Sequence, residues 1–326
     1  MAADPQTASP IDPNVERQTR VFLEALLAAG GPPLETLAPK DARAVLTGAQ
    51  ASVDLKLPPA EVSERTIEQD GHRVRLHIVR PAGVSGVTPA FLFIHGGGWI
   101  LGDFPTHERL VRDLVAGSGA TAIFVNYTPS PEARFPVAIE ENHAAAKWVA
   151  AHADELGIDA QRLGVAGNSV GGNMSTVLCL MAKDRGGPAL RCQILLWPVT
   201  NADFSSASYQ QFAEAHFLTQ AMMRWFWDAY TTDPAERAHR YASPLRASDA
   251  ELAGLPPALI QTAECDVLRD EGEAYARRLD AAGVEVTLTR HGGLIHDYGL
   301  LNPVAHIPAV QTAVRQAAAQ LKHYLG

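Results

Sequence analysis

The chain has little cysteine, and none of it is spaced as a metal or redox motif would require. Three cysteines occur among 326 residues, Cys179, Cys192 and Cys265. Zinc sites and thiol redox centres commonly use close pairs such as CxxC, and the sequence contains no such pair. Free cysteine behaves as a small apolar side chain in protein cores. We therefore expect three buried free thiols and no metal.

Long apolar runs and clusters of basic residues are also missing. A membrane-spanning helix needs about 20 consecutive apolar residues, and the sequence has no such run. Residues 1–13, MAADPQTASPIDP, have neither the basic start nor the apolar centre of a secretory signal. The 27 Lys and Arg residues are scattered and the net charge is −9, which argues against nucleic acid as a partner. We expect a cytoplasmic protein without a membrane span.

The first 50 residues predict helices and no strand. Residues 16–30 have the apolar spacing of an amphipathic helix, and two glycines followed by two prolines would end it. Four apolar residues are expected to share its buried face: Val21, Phe22, Leu26 and Leu27. A second short helical segment follows at 40–50. We interpret residues 1–50 as an N-terminal arm that packs on the main domain as an accessory layer.

The rest of the chain alternates strands with helices. Two segments of alternating apolar and polar residues flank Asp70-Gly71, a pair that favours a tight hairpin turn. After Pro89 come continuous apolar runs separated by helical stretches, namely AFLFIH, ATAIFVNY, RLGVAG, QILLWPV and PALIQTAE. Such runs are typical of parallel strands buried on both faces. The pattern predicts an α/β fold with a mostly parallel central sheet flanked by helices, formed by residues 51–200 and 246–326.

Residues 201–245 interrupt this alternation. The segment is helical in pattern, rich in aromatic residues and free of buried-strand runs. We interpret it as a helical insertion between two strands. Most of its aromatic residues are expected to pack the insertion onto the domain, because aromatics at helical spacing usually belong to a core. Some, with Phe217 as a candidate, are expected to roof a pocket.

The segment RLGVAGNSVGG joins a buried strand to a helix through residues 167–171, GNSVG. In so tight a strand–turn–helix the central residue is strained and exposed, and only small residues fit two positions before and after it. Ser169 would stand at the C-terminal edge of the sheet, above a helix N-terminus that favours negative charge. The GxSxG pattern alone is weak, so a glycine-rich turn with an incidental serine remains the alternative.

A serine hydroxyl becomes a good nucleophile only when a base takes its proton. In this topology the expected chain order is Ser, then Asp or Glu, then His. Asp266 and His296 each follow the end of a later strand and are the favoured partners. Glu264 and Asp270 are the alternatives to Asp266, the first expected within the strand and the second at the start of the next helix. His291, closer to its strand, is the alternative to His296.

A run of three glycines follows another buried strand, in LFIHGGGWILG at residues 92–102. Glycines here let the backbone approach a reacting group and aim successive N–H groups at one point. The candidate donors to an oxyanion are Gly97, Gly98 and, from the serine turn, Val170. His95 is expected to support the loop. A phosphate-binding loop is the alternative, but its patterns GxGxxG and GxxxxGK[ST] are absent, and Pro105 is expected to delay the next helix.

Together these motifs resemble those of the hormone-sensitive-lipase-like family of α/β hydrolases, the bacterial esterase group. The matching stretches are HGGGW at 95–99, YTPSPEARFP at 127–136, GNSVGG at 167–172, DVLRDEG at 266–272 and GLIHD at 293–297. The resemblance covers nearly the whole chain from about residue 60. It implies an oxyanion hole at the glycine run, a triad of Ser169, Asp266 and His296, and a helical cap built from residues 1–50 and 201–245.

The resemblance implies a carboxylic ester hydrolase. It would act on small ester molecules with short to medium acyl chains through an acyl-enzyme, without a cofactor. An amidase or lactone hydrolase would use the same triad. A non-catalytic binding protein on this fold is a further alternative, although such receptors lose the histidine that this chain retains. The family often pairs through edge strands, which implies a homodimer.

The chain departs from the usual GDSAGG turn of this family at two positions, Asn168 and Val170. Val170 would still offer its N–H, while its bulk narrows the site. We expect Asn168, together with Trp99 beside the glycine run, to border the substrate pocket. Because aspartate is the usual residue at position 168, Asn168→Asp is expected to be tolerated.

Overall fold

The computed structural model of the protein describes residues 9–326, so the first eight residues of the predicted arm lie outside it. These residues form a central sheet of eight strands: β1 Ala60–Gln69, β2 His72–Pro81, β3 Thr88–Ile94, β4 Thr121–Asn126, β5 Ile158–Asn168, β6 Gln193–Leu196, β7 Ala258–Cys265 and β8 Val286–Ile295. Their order across the sheet is β1-β2-β4-β3-β5-β6-β7-β8. β2 is antiparallel to both neighbours, and β3 to β8 are parallel.

Twelve α-helices accompany the sheet over the same range of residues: α1 Arg17–Ala29, α2 Pro39–Ala51, α3 Phe104–Ser118, α4 Val137–Ala151, α5 Ala153–Leu156, α6 Val170–Arg185, α7 Ala207–Gln211, α8 Gln220–Tyr230, α9 Pro234–Ala238, α10 Asp249–Leu252, α11 Arg269–Ala281 and α12 Pro308–Leu325. Apolar side chains alternate between the two faces along the strands. One face packs on α3 and α12, and the other packs on α4, α6 and α11. The mostly parallel sheet flanked by helices is confirmed.

The predicted hairpin forms between β1 and β2. Gln69 pairs with His72, which leaves Asp70 and Gly71 as the turn residues. Both have positive φ, 53° and 81°, as a two-residue turn matched to strand twist requires. The expectation for Pro105 is wrong: α3 begins at Phe104, so Pro105 lies in the first turn, where a helix does not need that N–H.

The buried face predicted for α1 is wrong for three of its four residues, while the fourth, Phe22, is partly buried against the core. Val21, Leu26 and Leu27 are 59%, 45% and 48% exposed. The buried residues of the helix are Thr19 and Leu23, one turn apart, so α1 rests on the domain along a single narrow stripe. Helical spacing shows which residues share a face, but whether another surface covers that face depends on the rest of the fold.

Hydrogen bonds fasten the arm to parts of the chain far away in sequence, and three of them show where it is attached. The Asp12 amide donates to His216 Nε2 of the insertion at 3.0 Å. The Glu16 amide donates to the Gly293 carbonyl at 2.8 Å, and Gln50 Nε2 donates to the Leu300 carbonyl at 3.0 Å. The arm therefore bridges the insertion and the loops that follow β8.

The insertion at 201–245 carries α7, α8 and α9, and the structure places no strand within it. It leaves the sheet after β6 and returns before β7. Both strands end at the edge of the sheet where the parallel strands β3, β5 and β8 also end, because parallel neighbours share one direction. This edge gathers the glycine run, the serine turn and the loops after β7 and β8.

Candidate active site

Ser169 occupies the turn between β5 and α6 with φ 56° and ψ −122°, a backbone conformation that side chains rarely adopt. Its amide donates to the Leu196 carbonyl at 2.9 Å, and its carbonyl accepts from the Val199 amide at 3.2 Å. Strand and helix nearly touch beside it. A Cβ on Gly167 would lie 2.3 Å from the Gly171 carbonyl oxygen. The glycine spacing is therefore a steric requirement of this turn.

A continuous line of hydrogen bonds connects Ser169, His296 and Asp266. His296 Nε2 lies 3.0 Å from Ser169 Oγ, and His296 Nδ1 lies 2.8 Å from Asp266 Oδ2. All three side chains are buried. The second oxygen of Asp266 accepts from the Leu268 amide at 3.0 Å, which fixes the carboxylate. The histidine is thus placed to take a proton from the serine hydroxyl while a carboxylate holds its other nitrogen.

The surroundings of His296 favour its protonated form. Burial alone would lower the pKa of His296, but the negative charges of Asp266 and Asp297 and the hydrogen bond to Asp266 together raise that pKa above its ordinary value. A base that becomes an imidazolium during the reaction is stabilised by the same charges.

The alternative partners lie elsewhere. The Glu264 carboxylate accepts from the Gly293 amide at 2.7 Å, and Asp270 accepts from the Ser208 amide at 2.8 Å in the first turn of α11. His291 lies within β8 with its ring edge-on to that of Tyr298, 5.4 Å between centroids, and burial lowers its pKa. None of these three side chains contacts Ser169 through a hydrogen bond in the described part of the chain.

The glycine run, residues 96–98, follows the end of β3 and lies close to the serine turn. Gly97 and Gly98 have positive φ, 104° and 62°. Within residues 9–326, the amides of Gly97, Gly98 and Val170 donate to no protein acceptor. Val170 is the first residue of α6, so its N–H also belongs to the positive end of a helix. The arrangement offers three uncommitted donors to an oxygen anion.

His95 supports this loop from behind. Its ring stacks on Tyr127 at 4.1 Å between centroids, and its carbonyl accepts from the Tyr127 hydroxyl at 3.1 Å. Burial lowers the pKa of His95 to about 4. It is therefore a neutral side chain that fills space beneath the glycines, as the sequence predicts.

The insertion lies directly on the glycine run. A Cβ on Gly98 would come within 2.1 Å of the Phe226 ring of α8. The Trp99 ring is fully buried and stacks on Tyr230, 4.1 Å between centroids, with Trp227 against its edge. Phe217 is partly buried and faces Phe22 of the arm at 6.3 Å. Aromatic rings of the insertion thus pack against Gly98 and Trp99.

Sequence reasoning missed two residues beside Ser169 and His296, namely Trp197 and Asp297. Asp297 follows His296 directly, and its Oδ1 accepts from Trp197 Nε1 at 2.7 Å and from Asn168 Nδ2 at 3.1 Å. Asn168 Oδ1 in turn accepts from the Gly96 amide at 3.0 Å. These contacts make Asn168 a brace between loops. The adjacency of Asp297 to His296 was the available signal.

Residues 9–326 hold neither a cluster of metal ligands nor a helix fit to span a membrane. No three His, Cys, Asp or Glu side chains in this range group as metal ligands would. No helix in it combines the length and the apolar character needed to cross a membrane. All three cysteines are buried and free, as expected.

A family model described as alpha/beta hydrolase fold matches residues 91–300. Among curated proteins, the chain is 36% identical over 325 residues to Carboxylesterase NlhH of Mycobacterium tuberculosis, which covers 99% of both chains. It is 39% identical over 235 residues to Ethyl acetate hydrolase of Pseudomonas putida, which covers 71% of this chain and 73% of that protein.

Solved structures give the same comparison in three dimensions. A thermostable esterase from Pseudomonas putida ECU1011 superposes with a TM-score of 0.96 at 63% identity, covering 97% of this chain and 99% of that one. An esterase from the archaeon Pyrobaculum calidifontis superposes with a TM-score of 0.86 at 35% identity, covering 95% and 98%.

Proposed function

The chain belongs to the hormone-sensitive-lipase-like family of α/β hydrolases and is a serine ester hydrolase; from this premise we propose that Ser169 is its nucleophile, His296 its base and Asp266 the group that orients the base. The observation that carries this proposal is the unbroken line from Ser169 Oγ to His296 Nε2, 3.0 Å, and from His296 Nδ1 to Asp266 Oδ2, 2.8 Å.

In the first half of the reaction, Ser169 Oγ forms a bond to the acyl carbon while its proton passes to His296 Nε2. The carbonyl π electrons move onto oxygen, and the amides of Gly97, Gly98 and Val170 stabilise that charge. Each well-placed donor of this kind contributes about 10²–10³ in rate. Collapse of the intermediate breaks the ester C–O bond, and His296 returns its proton to the departing alcohol.

In the second half, water attacks the acyl-enzyme while His296 again takes a proton. Collapse then releases the carboxylic acid and restores the Ser169 hydroxyl with the proton held on His296. Asp266 keeps Nδ1 protonated throughout, so Nε2 is the nitrogen that exchanges protons with the substrate. The chain's own side chains and amides are sufficient for every step.

Labelling with a fluorophosphonate probe tests the nucleophile. Mass spectrometry of the digested protein should find the adduct on Ser169. Pretreatment with a hydrolysable short-chain ester should slow the labelling. An adduct on another serine, with ester hydrolysis intact, would contradict the assignment.

We further propose a preference for short to medium acyl chains, from acetyl to about octanoyl, the range that the resemblance implies. The ring of Phe226 against Gly98 leaves limited depth beside the donors. Each methylene that fits gains about 0.8 kcal/mol by burial, whereas one that does not fit costs typically about 1–3 kcal/mol by overpacking. We expect kcat/KM for 4-nitrophenyl esters to rise with chain length and then fall steeply, with palmitoyl esters poor.

The variant Phe226→Ala probes the source of that limit. Truncating the ring removes the wall above Gly98, so the optimum should move to longer acyl chains. Trp225→Ala is the matched control, because its neighbouring ring on α8 is only partly buried. Equal turnover of palmitoyl and butyryl esters by the unmodified protein would contradict a closed acyl pocket and leave the triad assignment standing.

We propose that two chains pair through an edge strand, as the resemblance implies, and that this strand is β8. β8 lies at the end of the sheet, and its Leu288 is 38% exposed. An edge strand presents backbone donors and acceptors that a second strand can use. Sedimentation equilibrium should then give twice the chain mass of 34.9 kDa.

We also propose a cytoplasmic location. Three free thiols fit a reducing compartment, in which disulfides rarely persist. Fractionation of the source cells, followed by immunodetection, should place the protein with cytosolic markers.

A further inference from the structure

The carboxylate of Asp297 lies on the side of His296 that faces the serine. Its Oδ2 is 3.9 Å from His296 Nε2, the nitrogen that also lies within hydrogen-bond distance of Ser169 Oγ. The other oxygen, Oδ1, accepts two hydrogen bonds, from Trp197 Nε1 and from Asn168 Nδ2. Two donors, one just after β6 and one at the end of β5, therefore fix the orientation of this carboxylate.

The same contacts connect the ends of four strands. Trp197 follows β6, Asp297 follows the end of β8, Asn168 ends β5, and Gly96, whose amide donates to Asn168, lies just past β3. Trp197 and Asp297 both have positive φ, 38° and 57°. Residues other than glycine keep such conformations only where the surroundings over-determine them, and these are frequent at functional sites. The network is thus a built feature of the catalytic edge.

Resting on the proposed function, we propose that Asp297 is a positioning residue of the reaction: fixed by Trp197 and Asn168, its carboxylate holds the Nε2 side of His296 toward Ser169 and links the histidine loop to the glycine run.

Two charged groups face His296 from the elements around it. Asp266, after β7, contacts Nδ1, and Asp297, after β8, lies beside Nε2. Both raise the pKa of the histidine against the opposing effect of burial. When Ser169 gives up its proton, the imidazolium therefore forms between two carboxylates, one on each side of the ring.

The charge of Asp266 also affects other titratable side chains, among them Tyr209, Tyr298 and Glu271. Burial, with the nearby charge of Asp266, raises the pKa of the Tyr209 hydroxyl and that of the Tyr298 hydroxyl well above the ordinary value of a tyrosine. Burial likewise raises the pKa of Glu271 well above the usual range of a carboxyl group. Among the described residues, Asp266 and Asp297 are the two charged groups that raise the pKa of His296.

Asp297→Asn removes the charge and keeps an oxygen that can accept from Trp197 and Asn168. The acidic limb of kcat/KM should move to lower pH by about one unit, since a charge at this distance shifts a pKa by about 1–3. Asp159→Asn is the matched control: it removes a carboxylate at the start of β5, where Asp159 pairs with Arg162, and should leave the limb in place.

Exchanging the hydrogen-bond donor Asn168 and the acceptor Asp297 tests whether the contact between them holds the two loops together. Asn168→Asp sets a second carboxylate against Asp297 at a position now 3.1 Å away, so the two groups repel and the loop that carries His296 is pushed away from position 168, although an oxygen that can accept from the Gly96 amide remains. We expect kcat to fall about 10²-fold, as misplacement of about 1 Å can cause. The double variant Asn168→Asp with Asp297→Asn restores one donor and one acceptor and should recover most of that loss.

This expectation replaces the tolerance of Asn168→Asp that the sequence alone predicts. An unmoved acidic limb in Asp297→Asn, or a double variant no better than Asn168→Asp, would overturn the proposal, and a variant that changes only the melting temperature would show a purely structural role. The rates of these variants are compared with the rate of the unmodified enzyme, so the test requires that the unmodified enzyme is active. Failure of the triad assignment would appear instead as labelling away from Ser169.

Discussion

Ser169→Ala lowers kcat for a short-chain ester by about 10⁶-fold in our expectation, the scale on which loss of a triad member acts in serine hydrolases. The hydroxyl is the bond-forming atom, and alanine leaves the oxyanion donors and the histidine in place without a nucleophile. The residual rate then reflects binding and the oxyanion donors alone. Steady-state kinetics with a 4-nitrophenyl butyrate substrate, on protein freed of host esterases, measures it.

Ser175→Ala is the control for this change. Ser175 is also buried in α6, and its hydroxyl donates only to the Gly171 carbonyl within the same helix, at 2.7 Å. This variant should keep nearly full activity, and both variants should keep the melting curve of the parent protein. If Ser169→Ala retained near-normal turnover, the serine turn would not be the catalytic centre.

His296→Ala should be comparably severe, because base and nucleophile act as a unit. Without the imidazole, nothing within hydrogen-bond distance of Ser169 Oγ in the described structure can take its proton. The loss should appear in kcat at every pH at which the unmodified enzyme is active. His291→Ala removes an identical side chain five positions earlier, within β8, and should keep most of the activity. The reverse pattern would move the base to His291.

Much of this fold is readable from the sequence, for a reason that particular residues show. Phe91 and Phe93 pack on one face of β3 while Leu92 and Ile94 pack on the other. A strand buried on both sides must be apolar at every position, and such runs are hard to mistake. The proposed triad could be anticipated for a related reason, since parallel strands end at one edge and bring the side chains of Asp266 and His296 close to Ser169.

The missed features depend on contacts that no local pattern encodes. Hydrogen bonds across four strand ends hold Trp197 and Asp297 at positive φ. Neither residue is a glycine, so the sequence contains no signal for a turn at these positions. The position of Phe226 above Gly98 depends on how the insertion folds back. Similarly, Val21 lies on a regular helix in a position that no other part of the described chain covers.

The arm has a consequence for synthesis on the ribosome. Gln50 finds its partner Leu300 only 250 positions later. At a chain-elongation rate of about 5–20 residues per second, Leu300 is added to the chain roughly 12–50 s after Gln50. The interval between the synthesis of Glu16 and that of its partner Gly293 is longer still. The residues translated first are thus among the last to reach their final contacts, and a chain arrested before β8 has neither His296 nor the surface on which α1 rests.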